Sequence, residues 1–335
     1  MTPQESQKGK IMPLTSVEKD LDALTMTVTA DFPVGVRRLW DAYVDPRQIE
    51  RFWGPPEWPA TFTRHDVFPG GTSSYYMTGP DGSRSGGLWQ FEAVDEGRSF
   101  TVRDGFARED GTLNTDMPTM LMTFSFTDTD AGSRLVTVTT FPSLEEMEQL
   151  VEMGMEQGMT SAMGQIDAVL EDLRAFAADL PVAAQLIGDT QVRVSRVIRG
   201  TVEQVWRAHH DPGLMKRWLL GPDGWVMTVA DVAENVGDRF RQEWTREDGS
   251  DGFGFEGELL ESHSPHREVT TEAMIGMPGE PSRNELTLTP VDGGTLLTLV
   301  ITYPSAEVRE MVLATGMTDG MEASYRRLEE LVPVS

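Results

Sequence analysis

The chain repeats itself, and that constrains its folding more than any other feature. Leu39-Trp40-Asp41-Ala42, Asp45-Pro46 and Arg51-Phe52 return 166 residues later as Val205-Trp206-Arg207-Ala208, Asp211-Pro212 and Arg217-Trp218. Gly54-Pro55 and Trp58 return as Gly221-Pro222 and Trp225, and Asp81-Gly82-Ser83 as Asp248-Gly249-Ser250. Towards the end, Phe141-Pro142-Ser143, Gly154-Met155 and Gly158-Met159 return as Tyr303-Pro304-Ser305, Gly316-Met317 and Gly320-Met321, now offset by 162. The order is kept throughout, and the drift falls in turn-rich segments that tolerate insertions. At 335 residues the chain also exceeds one ordinary core. The expected organisation is a flexible tail over 1–22, a first domain over 23–178, a linker over 179–189 and a second domain over 190–335.

Each copy carries the same succession of periodicities. Alternation over Leu24–Phe32 and Val192–Gly200 predicts strands, because side chains on a strand switch faces at every step. Val34–Tyr43 and Val202–His209 predict a short helix, and the Asp-Pro pair after each is an N-cap followed by a first-turn proline. Five or six strands follow, separated by hairpin signals such as Asp81-Gly82, Asp248-Gly249 and Asp292-Gly293-Gly294. Each copy then closes with a long helix. Its apolar face reads Leu144, Met147, Val151, Met155, Ala162, Ile166, Val169 and Leu173 in the first copy, and Val308, Met311, Thr315, Tyr325, Leu328 and Val332 in the second. The fold class is α+β: two tandem helix-grip domains, each a curved antiparallel sheet wrapped around a long C-terminal helix.

These elements resemble the SRPBCC superfamily, also called the START or birch-pollen-allergen (Bet v-like) fold. Within it they are similar to the branch related to the C-terminal domain of the activator of the heat-shock-protein-90 ATPase. The resemblance rests on Val205-Trp206 with Asp211-Pro212, Arg217-Trp218 with Gly221-Pro222, Val236-Gly237-Asp238-Arg239-Phe240, and the Gly316-Met317 and Gly320-Met321 pairs. It covers almost the whole chain twice and implies a cavity between sheet and helix. As the fold hosts unrelated activities, the resemblance leaves function open.

Composition removes several function classes. The charge of 28 − 54 = −26 repels phosphate backbones and anionic headgroups, so neither nucleic acid nor a membrane surface is an expected partner. Cysteine is absent, which removes disulfides, thiolate nucleophiles and cysteine metal sites. Residues 1–22 hold no apolar run for a signal peptide or anchor, so the expected location is cytoplasmic, with Met12 an alternative start. The five histidines, His65, His209, His210, His263 and His266, show no compelling metal spacing. No metal and no cofactor is expected. The glycines of Gly79–Gly87 lead into no helix and read as hairpin turns rather than a dinucleotide fingerprint. No serine triad can be assembled. Glu256 and Glu258 alternate with Phe255, Gly257 and Leu259, and Gln90 and Glu92 with Trp89, Phe91 and Ala93, so the polar members face solvent.

What remains is an apolar, aromatic and methionine-rich interior. The inward face of the third strand reads Ser73, Tyr75 and Met77 in the first copy and Phe240, Gln242 and Trp244 in the second. Trp89, Phe91 and Phe255 face inward from the next strand. Met155, Met159, Met317 and Met321 answer from the closing helices, and methionine suits a cavity of adaptable shape. Trp53 and Trp58, with Trp218 and Trp225, border the mouth in this fold. Glycines at 154, 158, 316 and 320 inside a helix demand close packing or space for a ligand. The leading expectation is non-catalytic binding of a hydrophobic small molecule in one or both pockets. One alternative is an enzyme resembling the two-domain polyketide aromatase/cyclases, with Arg103, Tyr75 and Gln242 as positioned polar groups. The other is a co-chaperone-like stimulator of a heat-shock ATPase, against which stands the lack of room for the namesake's N-terminal domain. An exposed edge strand also makes a homo-oligomer compatible with the pattern.

Overall fold

The computed structural model describes residues 14–108, 110–172, 176–178, 180–221 and 223–332. Two compact units emerge, one running to Phe62 and resuming over Pro69–Glu171, the other taking Thr63–Phe68 and Asp172–Ser335. Leu173, Pro222, Asp179 and residues 1–13, on which some of the expectations fall, lie outside the described residues.

The first repeat holds β1 (Leu14–Asp20), β2 (Thr25–Phe32), α1 (Val36–Val44), α2 (Pro46–Ile49), β3 (Ala60–His65), β4 (Thr72–Thr78), β5 (Arg84–Asp95), β6 (Ser99–Ala107), β7 (Thr119–Thr129), β8 (Gly132–Thr140), α3 (Leu144–Glu152) and α4 (Met155–Glu171). Its eight strands form one antiparallel sheet in the order β1-β2-β8-β7-β6-β5-β4-β3. The second holds β9 (Ala183–Ile187), β10 (Gln191–Ile198), α5 (Val202–His210), α6 (Pro212–Trp218), β11 (Trp225–Asp231), β12 (Arg239–Arg246), β13 (Gly252–His263), β14 (Arg267–Met274), β15 (Ser282–Val291), β16 (Gly294–Thr302), α7 (Ala306–Leu313) and α8 (Met317–Leu331). Its order, β11-β12-β13-β14-β15-β16-β10-β9, is the same sequence read from the other edge. Each repeat is a helix-grip domain of the α+β class.

Local chemistry explains the element ends. Asp45 accepts from the Arg47 N–H and Asp211 from those of Gly213 and Leu214, so both Asp-Pro pairs start a helix as the sequence predicts. Ser143 and Ser305 cap α3 and α7 by accepting from Glu146 N and Val308 N. Two expectations differ from what is seen. Residues 14–20, within the expected tail, form β1 beside β2, and residues 183–187, within the expected linker, form β9 beside β10. Each added strand uses the hydrogen-bonding groups of what was otherwise an edge. The single closing helix is also broken in both repeats, at Gly154 (φ +92°) and Gly316 (φ +80°). Only glycine enters that left-handed region readily, so these two glycines are helix breakers. Around Gly158, by contrast, the place a side chain would take is empty to 4 Å.

The break leaves part of the expected helix stripe outside the core. Leu144 and Met311 are exposed, whereas Met147, Ala162, Ile166 and Val169, and Tyr325, Leu328 and Val332, are buried. The first core is a lattice of rings: Trp40 meets Phe100 and Phe126 edge-on, and Tyr43 meets Phe52. The second is mainly aliphatic, with Ile198, Val205, Leu288, Leu297 and Leu328 around Trp218 and Tyr325.

Candidate functional site

In the first repeat the inward register of the meander is set by strand pairing. Ser73 lies opposite Trp89, Tyr75 opposite Gly87, Trp89 opposite Asp104, and Asp104 opposite Met120. Trp89 is fully buried; Trp53, arriving from the loop after α2, meets it edge-on at 4.7 Å and Tyr75 at 6.3 Å. Tyr75 stacks on Phe62 at 4.8 Å and lies across Gly87, where a Cβ would stand 2.2 Å from the phenol ring. Gly87 is therefore a close-approach glycine that makes room for Tyr75. Phe91 continues the wall to Phe100 at 5.7 Å. A bulge follows, and Ala93, expected to face inward with Trp89 and Phe91, is exposed because the extra residue shifts the alternation. Trp58 covers Gly79 and Met77 covers Gly54, both half-buried at the same end of the sheet. Met155 and Met159 are half-buried on α4.

Asp104 sits in this apolar wall with 8 % of its surface exposed. Burial raises its pKa to about 7, opposed by the Trp89 indole N–H and the Gly105 amide. Burial also raises the Tyr75 phenol, and the Asp104 charge adds to that, while the Trp53 and Trp89 indoles oppose it. The four groups thus form one electrostatic cluster. The Trp89 indole and the Gly105 amide do not satisfy it fully: Asp104 Oδ1 and Trp53 Nε1 are buried without a partner in hydrogen-bond geometry, as are Thr137 Oγ1 and Thr139 Oγ1 of β8. Those threonines pair with Phe124 and Met122 in the same inward register. The sequence reading missed Asp104, although it stands in phase with Phe100, Val102 and Phe106, and selected Arg103 instead. Arg103 faces outward, paired with Glu92 at 2.6 Å.

The second repeat brings together a different subset. Trp244 stacks on Phe253 at 5.1 Å, Phe253 meets Trp225 at 5.0 Å and Phe255 at 5.8 Å, and the Trp244 indole donates to the Leu219 carbonyl at 2.6 Å. Gln242 lies opposite Phe255, and Phe240 opposite Gly257. Trp218 is separate from this cluster. It is 1 % exposed, donates to the Ala208 carbonyl and stacks on Tyr325, so it belongs to the helix core rather than to a mouth. Met317 receives the Tyr303 hydroxyl at its sulfur, and Met321 packs on both the Val192–Tyr303 and the Trp218–Tyr325 clusters. Here too an inward strand carries an acid. Glu272 of β14 is shifted upward by burial, against the Asn284 side chain that favours its charge, and its charge in turn lifts the Tyr303 phenol beyond what burial does.

A second feature common to both repeats joins the closing helix to the loop after the second helix. Gln165 Nε2 donates to the Gly54 carbonyl at 2.8 Å and to that of Phe52 at 3.2 Å. In the second repeat Arg327 Nη1 donates to the Gly221 carbonyl at 2.6 Å, and Ser324 accepts from the Gly221 N–H. Gln165 and Arg327 are 162 residues apart, the offset of the closing helices, and Gly54 and Gly221 are themselves repeat equivalents. Neither side chain stands out in the sequence, because a polar residue on an amphipathic helix ordinarily faces water.

Among the described residues no group of three His, Asp or Glu side chains could hold a metal, and no helix is long and apolar enough to cross a membrane. His209 bonds to the Val205 carbonyl and His210 to Glu268, so the adjacent pair diverges.

Comparison with known proteins assigns both repeats to one family. The model of the activator of Hsp90 ATPase homolog 1-like protein matches residues 33–171 and again 199–333. The chain belongs to this family. Its two family segments make it a tandem duplication of that domain. Among solved structures, protein Ms6760 from Mycobacterium smegmatis is 49% identical over 47% of this chain and 97% of its own, with a TM-score of 0.45. A protein from Arthrobacter aurescens is 43% identical over 47% of this chain and 91% of its own, with a TM-score of 0.45. DynU16, a protein of the dynemicin biosynthetic locus, is 15% identical over 92% of this chain and 98% of its own, at a TM-score of 0.34. No curated protein matches the chain.

Proposed function

We propose that the chain binds hydrophobic small molecules without chemical conversion, through a site on the inward face of the sheet in one or both repeats. One observation carries this reading: Asp104 Oδ1, Trp53 Nε1, Thr137 Oγ1 and Thr139 Oγ1 share an apolar interior in which none has a hydrogen-bond partner. A buried polar atom left unpaired costs about 1–3 kcal/mol, and an ordinary core avoids several of them on one face. A bound molecule with an apolar body and a polar group of its own offsets that cost. The aromatic and methionine surroundings fit such a body, because they make large contact areas and adapt in shape. An enzyme of the aromatase/cyclase kind draws less support, since Arg103, one of its candidate groups, is turned outward into the Glu92 ion pair.

The test is native mass spectrometry of the full chain after gentle purification, followed by exposure to a panel of neutral aromatic and aliphatic compounds. The expected result is one or two added masses per chain, lost on denaturation. A chain that carries and takes up nothing across the panel contradicts the reading.

A further inference from the structure

The polar groups of the first repeat's wall differ in what they can donate and accept. An indole N–H donates only, so Trp53 can be satisfied by nothing except an acceptor. Thr137 and Thr139 each bring a hydroxyl proton as well. Asp104 is the single acidic group of the cluster, and among the described residues burial, the Trp89 indole and the Gly105 amide set its pKa rather than any lysine or arginine. The strands beside it supply Trp89 from β5 and Met120 from β7, and Tyr75 of β4 is the titratable group coupled to it. Arg103 and Glu92 pair on the opposite face of the sheet.

We infer that the first repeat selects a neutral hydrophobic molecule bearing a hydrogen-bond-accepting carbonyl oxygen, held by the Trp53 indole N–H and the Asp104 carboxyl, whose Nε1 and Oδ1 atoms are buried and unpartnered. This deepens, and rests on, the proposed binding function. The chemistry disfavours the two other common head groups. An anionic head meets Asp104 with no cation among the described groups around it, and an amine pairs with the Asp104 carboxylate but leaves the Trp53 N–H without an acceptor. The neutral form of the acid is what donates, and burial places its titration at about 7. A ligand held by the protonated form binds fully below that value and loses affinity as pH rises through it.

The experiment uses the full chain carrying Glu272→Gln, so that the second repeat's half-buried acid does not titrate, and Nile red, a neutral fluorescent dye with one ring carbonyl. Affinity is measured at about pH 6 and about pH 8.5 for this protein and for the same protein with Asp104→Asn or Trp53→Phe. The pH-dependent component should weaken by roughly tenfold or more between the two values, as expected for a donor titrating near 7. Asp104→Asn should bind with no such dependence, because the amide still donates and cannot ionise. Trp53→Phe should weaken binding severalfold at both values and keep the pH dependence. Near-ultraviolet circular dichroism establishes that each variant is folded, and should Asp104→Asn fail to fold, the Trp53→Phe result decides. Unchanged pH dependence in Asp104→Asn, or unchanged affinity in Trp53→Phe, overturns the inference while leaving dye binding intact. Absence of dye binding at both values overturns the binding function itself.

Discussion

The two repeats share one topology and fill it differently. In the first, Trp40 is buried among Phe100 and Phe126; its repeat equivalent, Trp206, is half-buried and stacks on His210 at 4.1 Å. Tyr43 and Phe52 are replaced by His209 and Trp218, while Met163, which receives the Tyr43 hydroxyl, is replaced by Tyr325, which stacks on Trp218. Bulk lost from one element returns on the facing one, as a core held at constant volume requires. The inward acid is kept on the same strand of each meander but with different company: indoles and a phenol around Asp104, an amide beside Glu272. Duplication has preserved the scaffold and the presence of an acid on this strand's inward face, buried in the first repeat and half-buried in the second, and has let its surroundings diverge.

The largest test of this difference is a pair of truncations. Trp89→Ala removes a fully buried ring that touches Trp53, Phe62, Tyr75, Phe91, Phe100 and Phe124, and should cost about 3–5 kcal/mol in urea unfolding. Trp244→Ala removes a ring of a smaller cluster, 6 % exposed, and should cost clearly less. Equal losses would mean that the ring lattice of the first repeat has no special weight.

A smaller effect should sharpen the common feature. Gln165→Ala removes the donor to the Gly54 loop and Arg327→Ala the donor to Gly221, each worth about 1 kcal/mol. By hydrogen exchange, the first should speed opening of residues 52–58 by roughly fivefold and leave 219–225 unchanged, and the second should do the reverse. Equal acceleration of both loops by either substitution would show that the closing helices do not act loop by loop.

The smallest difference lies at His210, whose place in the first repeat is taken by the buried Val44. Burial lowers the His210 pKa, but Glu268 at 2.9 Å more than offsets it and leaves the value above 6.5. Its folded value exceeds its unfolded one, so the stabilisation is complete below pH 6.5 and is lost as pH rises through the raised value. His210→Ala should therefore cost about 0.5 kcal/mol at about pH 5.5 and less at about pH 8, read from unfolding midpoints. A larger cost at the higher pH would reverse the assigned sign.

Much of the site's framework is legible in the sequence. The strand phases that turn Tyr75, Trp89, Phe91 and Trp244 inward follow from side chains alternating along a strand, and the same alternation turns Gln90 and Glu256 outward. Asp104 shares the parity of Val102, but an acid in a strand is ordinarily solvated, so alternation alone does not single it out. Trp218 was misplaced for the opposite reason: a tryptophan after a short helix fits a pocket border and a helix core equally well, and only its stack on Tyr325, more than one hundred residues away, separates them.

By itself, the sequence determined the duplication, the element order, the Asp-Pro helix starts and the two faces of each strand, all of which depend on neighbours a few residues apart. Only the tertiary structure decided that the closing helices break at Gly154 and Gly316, that Gln165 and Arg327 hold the loops at Gly54 and Gly221, and that Asp104 Oδ1 and Trp53 Nε1 lie buried without partners. Those outcomes depend on which groups meet across long sequence separations, where solvation and hydrogen bonding are set by what packs around a residue rather than by the residues beside it in the chain.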